Sequence, residues 1–140
     1  MPRTFARLLV ITVFLFGASL SSLSFAQDKQ TSEGVFTPAQ AATGKQTYDA
    51  ECATCHDMEF YKDIWSYWQG RALIDFYYRI VAEMPSDNPG SLFDQEYTDI
   101  IAYILSDIGY PSGEDVLETG NGMEGISITR LWVTLPIGQL

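Results

Sequence analysis

In this 140-residue chain, Cys52-Ala53-Thr54-Cys55-His56 is the stretch whose residue types and spacing specify a chemistry. Two thiols three positions apart can both reach one edge of a porphyrin and bond its two vinyl groups. The histidine that follows is carried beneath the ring, where an imidazole nitrogen can bind iron. The pattern therefore reads as a c-type haem attached through Cys52 and Cys55, with His56 as an axial ligand. Other uses of such a pair fit the chain less well. A thioredoxin-like dithiol sits in a βαβ pattern, and none surrounds this one. A zinc site needs four ligands, and there is no further Cys or His to complete it. A structural disulfide is a poor use of thiols so close in sequence.

Several elements are placed to position this motif. Thr37-Pro38-Ala39-Gln40 predicts a helix start, with Thr37 as cap, Pro38 in the first turn and Gln40 reaching back as a capping box. That helix runs to about Cys52, with Ala41, Gly44, Tyr48 and Cys52 on one face. A glycine inside a helix costs ~1 kcal/mol against alanine, so Gly44 is expected where another helix approaches closely. The ring-dense segment with Phe60, Tyr61, Trp65, Tyr67 and Trp68 shows no clear period and reads as loop with short helical turns. From Arg71 a second helix is expected, its stripe formed by Leu73, Phe76, Tyr77, Ile80, Val81 and Met84 and its end set by Met84-Pro85. Ser86 to Gly90 is a turn. A last helix starts near Ser91 or Asp94, either of which could cap where Phe93 cannot. Its stripe is Tyr97, Ile100, Ile101, Ile104, Leu105 and Ile108, with Asp99 and Asp107 outside it and Tyr103 able to lie across Gly44. Gly109 and Pro111 end it.

The ends read differently. Arg3 and Arg7, the apolar run from Leu8 to Phe16 and the Ser24-Phe25-Ala26 step predict a cleaved secretory signal over 1–26. An uncleaved anchor is the other reading of that stretch, although a span needs ~20 apolar residues. Residues 27–35 read as a flexible leader, 36–113 as the domain, and 114–140 as an extension that is irregular or a short strand, with Trp132 and Pro136 near its end. Beyond residue 26 lie all 18 acidic residues but only six of the eight Lys and Arg, a net charge of −12. Such a surface excludes nucleic acid as a partner and suits a basic docking patch on another protein, or simple solubility. Export to the bacterial periplasm agrees with haem attachment outside the cytoplasm, and both cysteines are spent on it.

A helix ending in a haem motif, a Met-Pro step and a closing amphipathic helix resemble a small class I cytochrome c. Gly44-Lys45 with Tyr48, Trp68-x-Gly70-Arg71-x-Leu73, Met84-Pro85 with Asn88-Pro89-Gly90, and Asp94-Gln95-Glu96-Tyr97 are similar to haem domains of quinoprotein alcohol and sugar dehydrogenases. The resemblance implies an all-α fold, its N- and C-terminal helices crossing around one covalently bound haem. It implies His56 as proximal ligand, Met84 as distal ligand, and Trp68 and Arg71 as hydrogen-bond donors to the haem propionates. A core ring and a solvated charge are the plainer readings of those last two. Met84 has independent support: Met58 is too near His56 to reach the opposite face, and Met123 lies in the tail. Without Met84 the sixth position would fall to water, Lys, Met123 or a partner's side chain. Two departures stand out. The proline that commonly follows the haem motif is missing, and His56 and Met84 are only 28 residues apart.

The expected function is one-electron transfer rather than catalysis, from a dehydrogenase donor toward an oxidase or another cytochrome, in the periplasm. Membrane association is expected only if the leader is retained. The alternatives are a tightly bound cytochrome subunit of a quinoprotein dehydrogenase, and a haem enzyme or sensor with an open distal side.

Overall fold

The computed structural model describes residues 28–120 and 122–131; the predicted signal segment, Trp132 and Pro136 lie outside them. In chain order the elements are β1 (Lys29–Gln30), a 3-10 turn (Thr31–Glu33), α1 (Pro38–Glu51), α2 (Met58–Trp68), α3 (Leu73–Glu83) and α4 (Asp94–Ile108). A second 3-10 turn (Met123–Gly125) and β2 (Ile126–Ser127) follow. The fold is all-α, as expected of a cytochrome c domain, apart from the two-residue parallel pairing of β1 with β2.

The crossing of α1 and α4 is the frame. Gly44 faces the backbone of α4 so closely that a Cβ there would lie 1.7 Å from the Asp99 carbonyl oxygen. The glycine thus has the purpose its cost in a helix predicts. Tyr103 of α4 meets Tyr48, one turn beyond Gly44, edge-on, ring centroids 5.2 Å apart. Tyr97, Ile100, Ile101, Ile104 and Leu105 are all buried. Asp99, expected outside the stripe, is only 7 % exposed. The tight crossing covers it, and the Gln95 amide donates to its carboxylate at 2.6 Å.

Helix starts follow local chemistry, with two corrections. Thr37 caps α1 by accepting the Gln40 N–H at 3.1 Å. The Gln40 side chain does not reach back; it pairs with the Leu117 backbone, donating to the carbonyl at 2.9 Å and accepting the N–H at 2.8 Å. At α4 neither Ser91 nor Asp94 caps. Glu96 accepts the Phe93 N–H at 2.8 Å instead, which satisfies one free donor of the first turn. Gly109 closes α4 at φ +109°, its N–H returning to Leu105 and Ser106.

The larger difference is α2, expected as loop. Asp57 caps it, accepting the Phe60 N–H at 3.0 Å. Tyr61, Trp65 and Trp68 recur at i, i+4 and i+7 and are buried, which is one helical stripe. Trp65 and Trp68 both meet Phe76 of α3 edge-on, at 5.2 and 5.0 Å. α3 starts at Leu73 rather than Arg71, buries Leu73, Ile74, Phe76, Tyr77 and Ile80, and stops where the Met84 N–H reaches the Ile80 carbonyl at 2.8 Å.

Both ends of the described residues are built in. Leu117, Met123, Ile126 and Ile128 join the core. Ile128 exchanges backbone bonds with Gly70 and Arg71, at 2.7 and 2.9 Å. Thr31 accepts the Thr129 N–H at 3.1 Å, and Tyr110 donates to the Thr129 carbonyl. Residues 29–33, expected within a flexible leader, are held by these bonds and by β1.

Candidate haem site

The motif leaves α1 as a tight turn. The Cys52 carbonyl accepts the N–H of Cys55 at 3.1 Å and of His56 at 2.9 Å. This curls the chain so that Cys52, Cys55 and His56 all reach one cavity. Both thiols are free, Cys52 half-buried and Cys55 exposed. Burial, and next the Glu51 charge, push the Cys52 thiol up to about 11. A redox dithiol needs a depressed thiol pKa, so this environment speaks against thioredoxin-like exchange.

Two cavities meet at this point. One, of about 360 Å³, is lined by Cys52, Cys55, His56, Met84, Pro85 and Asp87 among others. The other, of about 440 Å³, carries Phe60, Ile64, Tyr67, Trp68, Phe76 and Arg79. His56, Tyr61, Ile80 and Met84 line both, so the two are compartments of one cleft. Each falls within the ~300–1,000 Å³ usual for cofactor sites. α1 and its turn supply the cysteine end, α2 one wall, and α3 with its Met84 terminus the other.

His56 and Met84 therefore open onto the same space. The His56 ring packs on Phe60 with centroids 4.6 Å apart. Its carbonyl accepts the Tyr48 hydroxyl at 2.6 Å. Tyr48 is pushed up to about 12 by burial first, with the neighbouring Cys52 adding, so it stays a donor at neutral pH. The Met84 carbonyl accepts the Tyr97 hydroxyl at 2.7 Å. Met58 and Met123 line neither compartment, and Met123 is fully buried in the core. No lysine lines either compartment.

The predicted propionate donors divide. Trp68, 8 % exposed, lines the compartment far from the cysteines, and no acceptor among the described residues takes its indole N–H. That N–H is not sealed away from the cleft, so it is free to donate to a group bound there. Arg71 does not line the cleft. Its Nε donates to the Tyr67 carbonyl at 3.0 Å, and its guanidinium lies 4.1 Å from the Tyr67 ring centroid, behind the wall. Arg79 is the cation that lines the cleft instead, with its Nε 3.0 Å from Glu83. Its i, i+4 spacing to Glu83 looks like an ordinary surface pair, so nothing in the sequence singles it out. Paired thiols, an imidazole, a thioether, apolar rings and an unpaired indole donor form a donor set that fits haem c.

Residues 39–104 match the family model described as cytochrome C oxidase, cbb3-type, subunit III. The match runs from the first turn of α1 to one turn short of the end of α4 and contains the motif, the cleft walls and Met84. It supports a small c-type cytochrome, with haem-based electron transfer and a covalently held haem c. No curated protein and no solved structure matches the chain.

Proposed function

We propose that this chain is a periplasmic one-electron carrier holding a single haem c through Cys52 and Cys55, with His56 and Met84 as axial ligands. The observation that carries the reading is that Met84 is the methionine sharing a cleft with His56. Haem c bound there supplies one-electron exchange between ferric and ferrous iron, and a thioether ligand favours the ferrous form. The residues supply the rest. The cysteines fix one edge, while α2 and α3 exclude water with rings and branched side chains. Trp68 and Arg79 offer a hydrogen-bond donor and a positive charge at the opposite end. With both axial positions taken by protein, the site favours electron exchange over substrate chemistry. The cysteine end has Glu51 and Asp87 on its walls and no cation, which suits a partner that presents basic residues. The donor is a dehydrogenase, by resemblance a quinoprotein, and the acceptor an oxidase or another cytochrome. The leader motif with Arg3 and Arg7 supports export.

Replacing Met84 with Ala tests the reading. Haem stays attached against acidic acetone, the methionine-to-iron charge-transfer band of the oxidised protein disappears, and the reduced protein binds carbon monoxide. Unchanged ligand binding and an unchanged potential reject Met84. A second reading, a cytochrome held as a subunit of an oxidoreductase complex, is favoured by the oxidase-subunit description of the matching family. Size-exclusion chromatography and pull-down from native membranes separate the two.

A further inference from the structure

We infer that Tyr48 and Tyr97 act as a pair of positioning residues that fix the two axial side chains of the proposed haem iron, one from each side; the inference rests on the His56 and Met84 reading above. Tyr48 on α1 donates to the His56 carbonyl at 2.6 Å, and Tyr97 on α4 donates to the Met84 carbonyl at 2.7 Å. Both rings are sunk in the core, 2 % and 1 % exposed, so neither hydroxyl can swing away without opening the α1–α4 packing.

The two carbonyls are ones that secondary structure does not secure. His56 lies between α1 and α2, where no backbone N–H among the described residues reaches its oxygen. Met84 caps α3 in an extended conformation, and the only backbone donor to its oxygen among the described residues is Gly90, at 3.3 Å. Each residue would otherwise be held mainly by its neighbours in the chain. A buried phenol gives each a second anchor on a rigid helix.

The anchors share one mounting. Tyr48 is one turn beyond Gly44, and Tyr97 is two residues before Asp99, where the two helices touch backbone to backbone. The spacing between the His56 and Met84 main chains is thereby set by a single helix crossing rather than by the loops that carry them. Tyr77 provides the contrast. It is as deeply buried, but its hydroxyl donates to Asp94 at 2.9 Å and touches neither carbonyl.

The test uses the haem-loaded full chain and the variants Y48F, Y97F, Y77F and M84A, which keep the rings or have been treated above. The measurements are imidazole affinity of the ferric protein, the methionine-to-iron band, and the hyperfine-shifted haem methyl resonances that report axial-ligand orientation. Y97F is expected to bind imidazole about fivefold more tightly, the equilibrium equivalent of one ordinary hydrogen bond, and to weaken the methionine band. Y48F is expected to move the methyl resonances while imidazole affinity stays within about twofold of wild type. Y77F is expected to lower thermal stability and leave both signatures in place. Equal imidazole affinity in Y97F and Y77F, or identical methyl patterns in Y48F and Y77F, overturns the clamp. M84A separates the two levels. If it raises imidazole affinity and Y97F does not, the clamp alone fails; if M84A changes nothing, the ligand reading fails and the clamp with it.

Discussion

Replacing Gly44 with Ala puts the α1–α4 crossing to the test. The added Cβ would sit 1.7 Å from the Asp99 carbonyl oxygen, 2.2 Å from its carbonyl carbon and 2.9 Å from the Ile100 nitrogen. Against an ordinary contact distance of ~3.5 Å, the helices must part by roughly 1.5–2 Å. All three atoms are backbone, so no side chain can rotate out of the way. Overpacking usually costs ~1–3 kcal/mol and sometimes more. Opposing it is the intrinsic helix preference for alanine, ~1 kcal/mol. With backbone on both sides the clash falls at the upper end of that range, ~3 kcal/mol, and a net loss of ~2 kcal/mol is expected. For a domain of this size that lowers Tm by roughly 8–16 °C. Thermal unfolding of the haem-loaded protein, followed by circular dichroism, gives the answer. Gly125→Ala is the control, because a Cβ there meets nothing within 4 Å; it should stay within ~0.5 kcal/mol of wild type. A Gly44→Ala protein as stable as wild type, or more stable, would refute the argument, since helix propensity alone predicts that result.

Two further outcomes are expected. Gln40→Ala strips both hydrogen bonds from the buried Leu117 backbone; it should cost ~2–4 kcal/mol and speed hydrogen exchange at the Leu117 amide. Tyr77 is pushed up to about 12 by burial, then by the hydrogen bond to Asp94 and its charge. A raised folded-state pKa contributes stability that is complete below the unfolded value near 10 and is lost as pH climbs toward 12. Tm should therefore fall across that window in wild type, and less steeply in Tyr77→Phe; equal slopes would dispose of the assignment.

Much of the fold is written in local signals. Thr37, Met84-Pro85 and Gly109 mark helix ends because capping and proline geometry depend on a few adjacent residues. Gly44 is legible because a glycine in a helix asks for a reason. α2 was hidden because its rings occupy two faces. Tyr61, Trp65 and Trp68 are buried, the first and last of them also bordering the cleft, while Phe60, Ile64 and Tyr67 line the cleft without being buried, and the overlap erases a simple period. The β1–β2 pairing joins two-residue segments from opposite ends of the domain, too short to carry a pattern. In the site, the cysteines, His56, Met84 and Trp68 border the cleft, whereas Arg71 is drawn away by the Tyr67 carbonyl and ring. The hydroxyls of Tyr48 and Tyr97 could not be assigned from residue identity, since their acceptors are main-chain atoms that the folded chain alone brings near.

The two-faced character of α2 bears on biosynthesis. Before any cofactor is attached, the polypeptide carries Phe60, Ile64 and Tyr67 on a side that the protein itself leaves uncovered. Sticky surface of this kind favours self-association before ligation. Overproduction in a host with weak cytochrome maturation should therefore fill inclusion bodies, and Ile64→Thr should recover soluble apoprotein without touching the attachment residues.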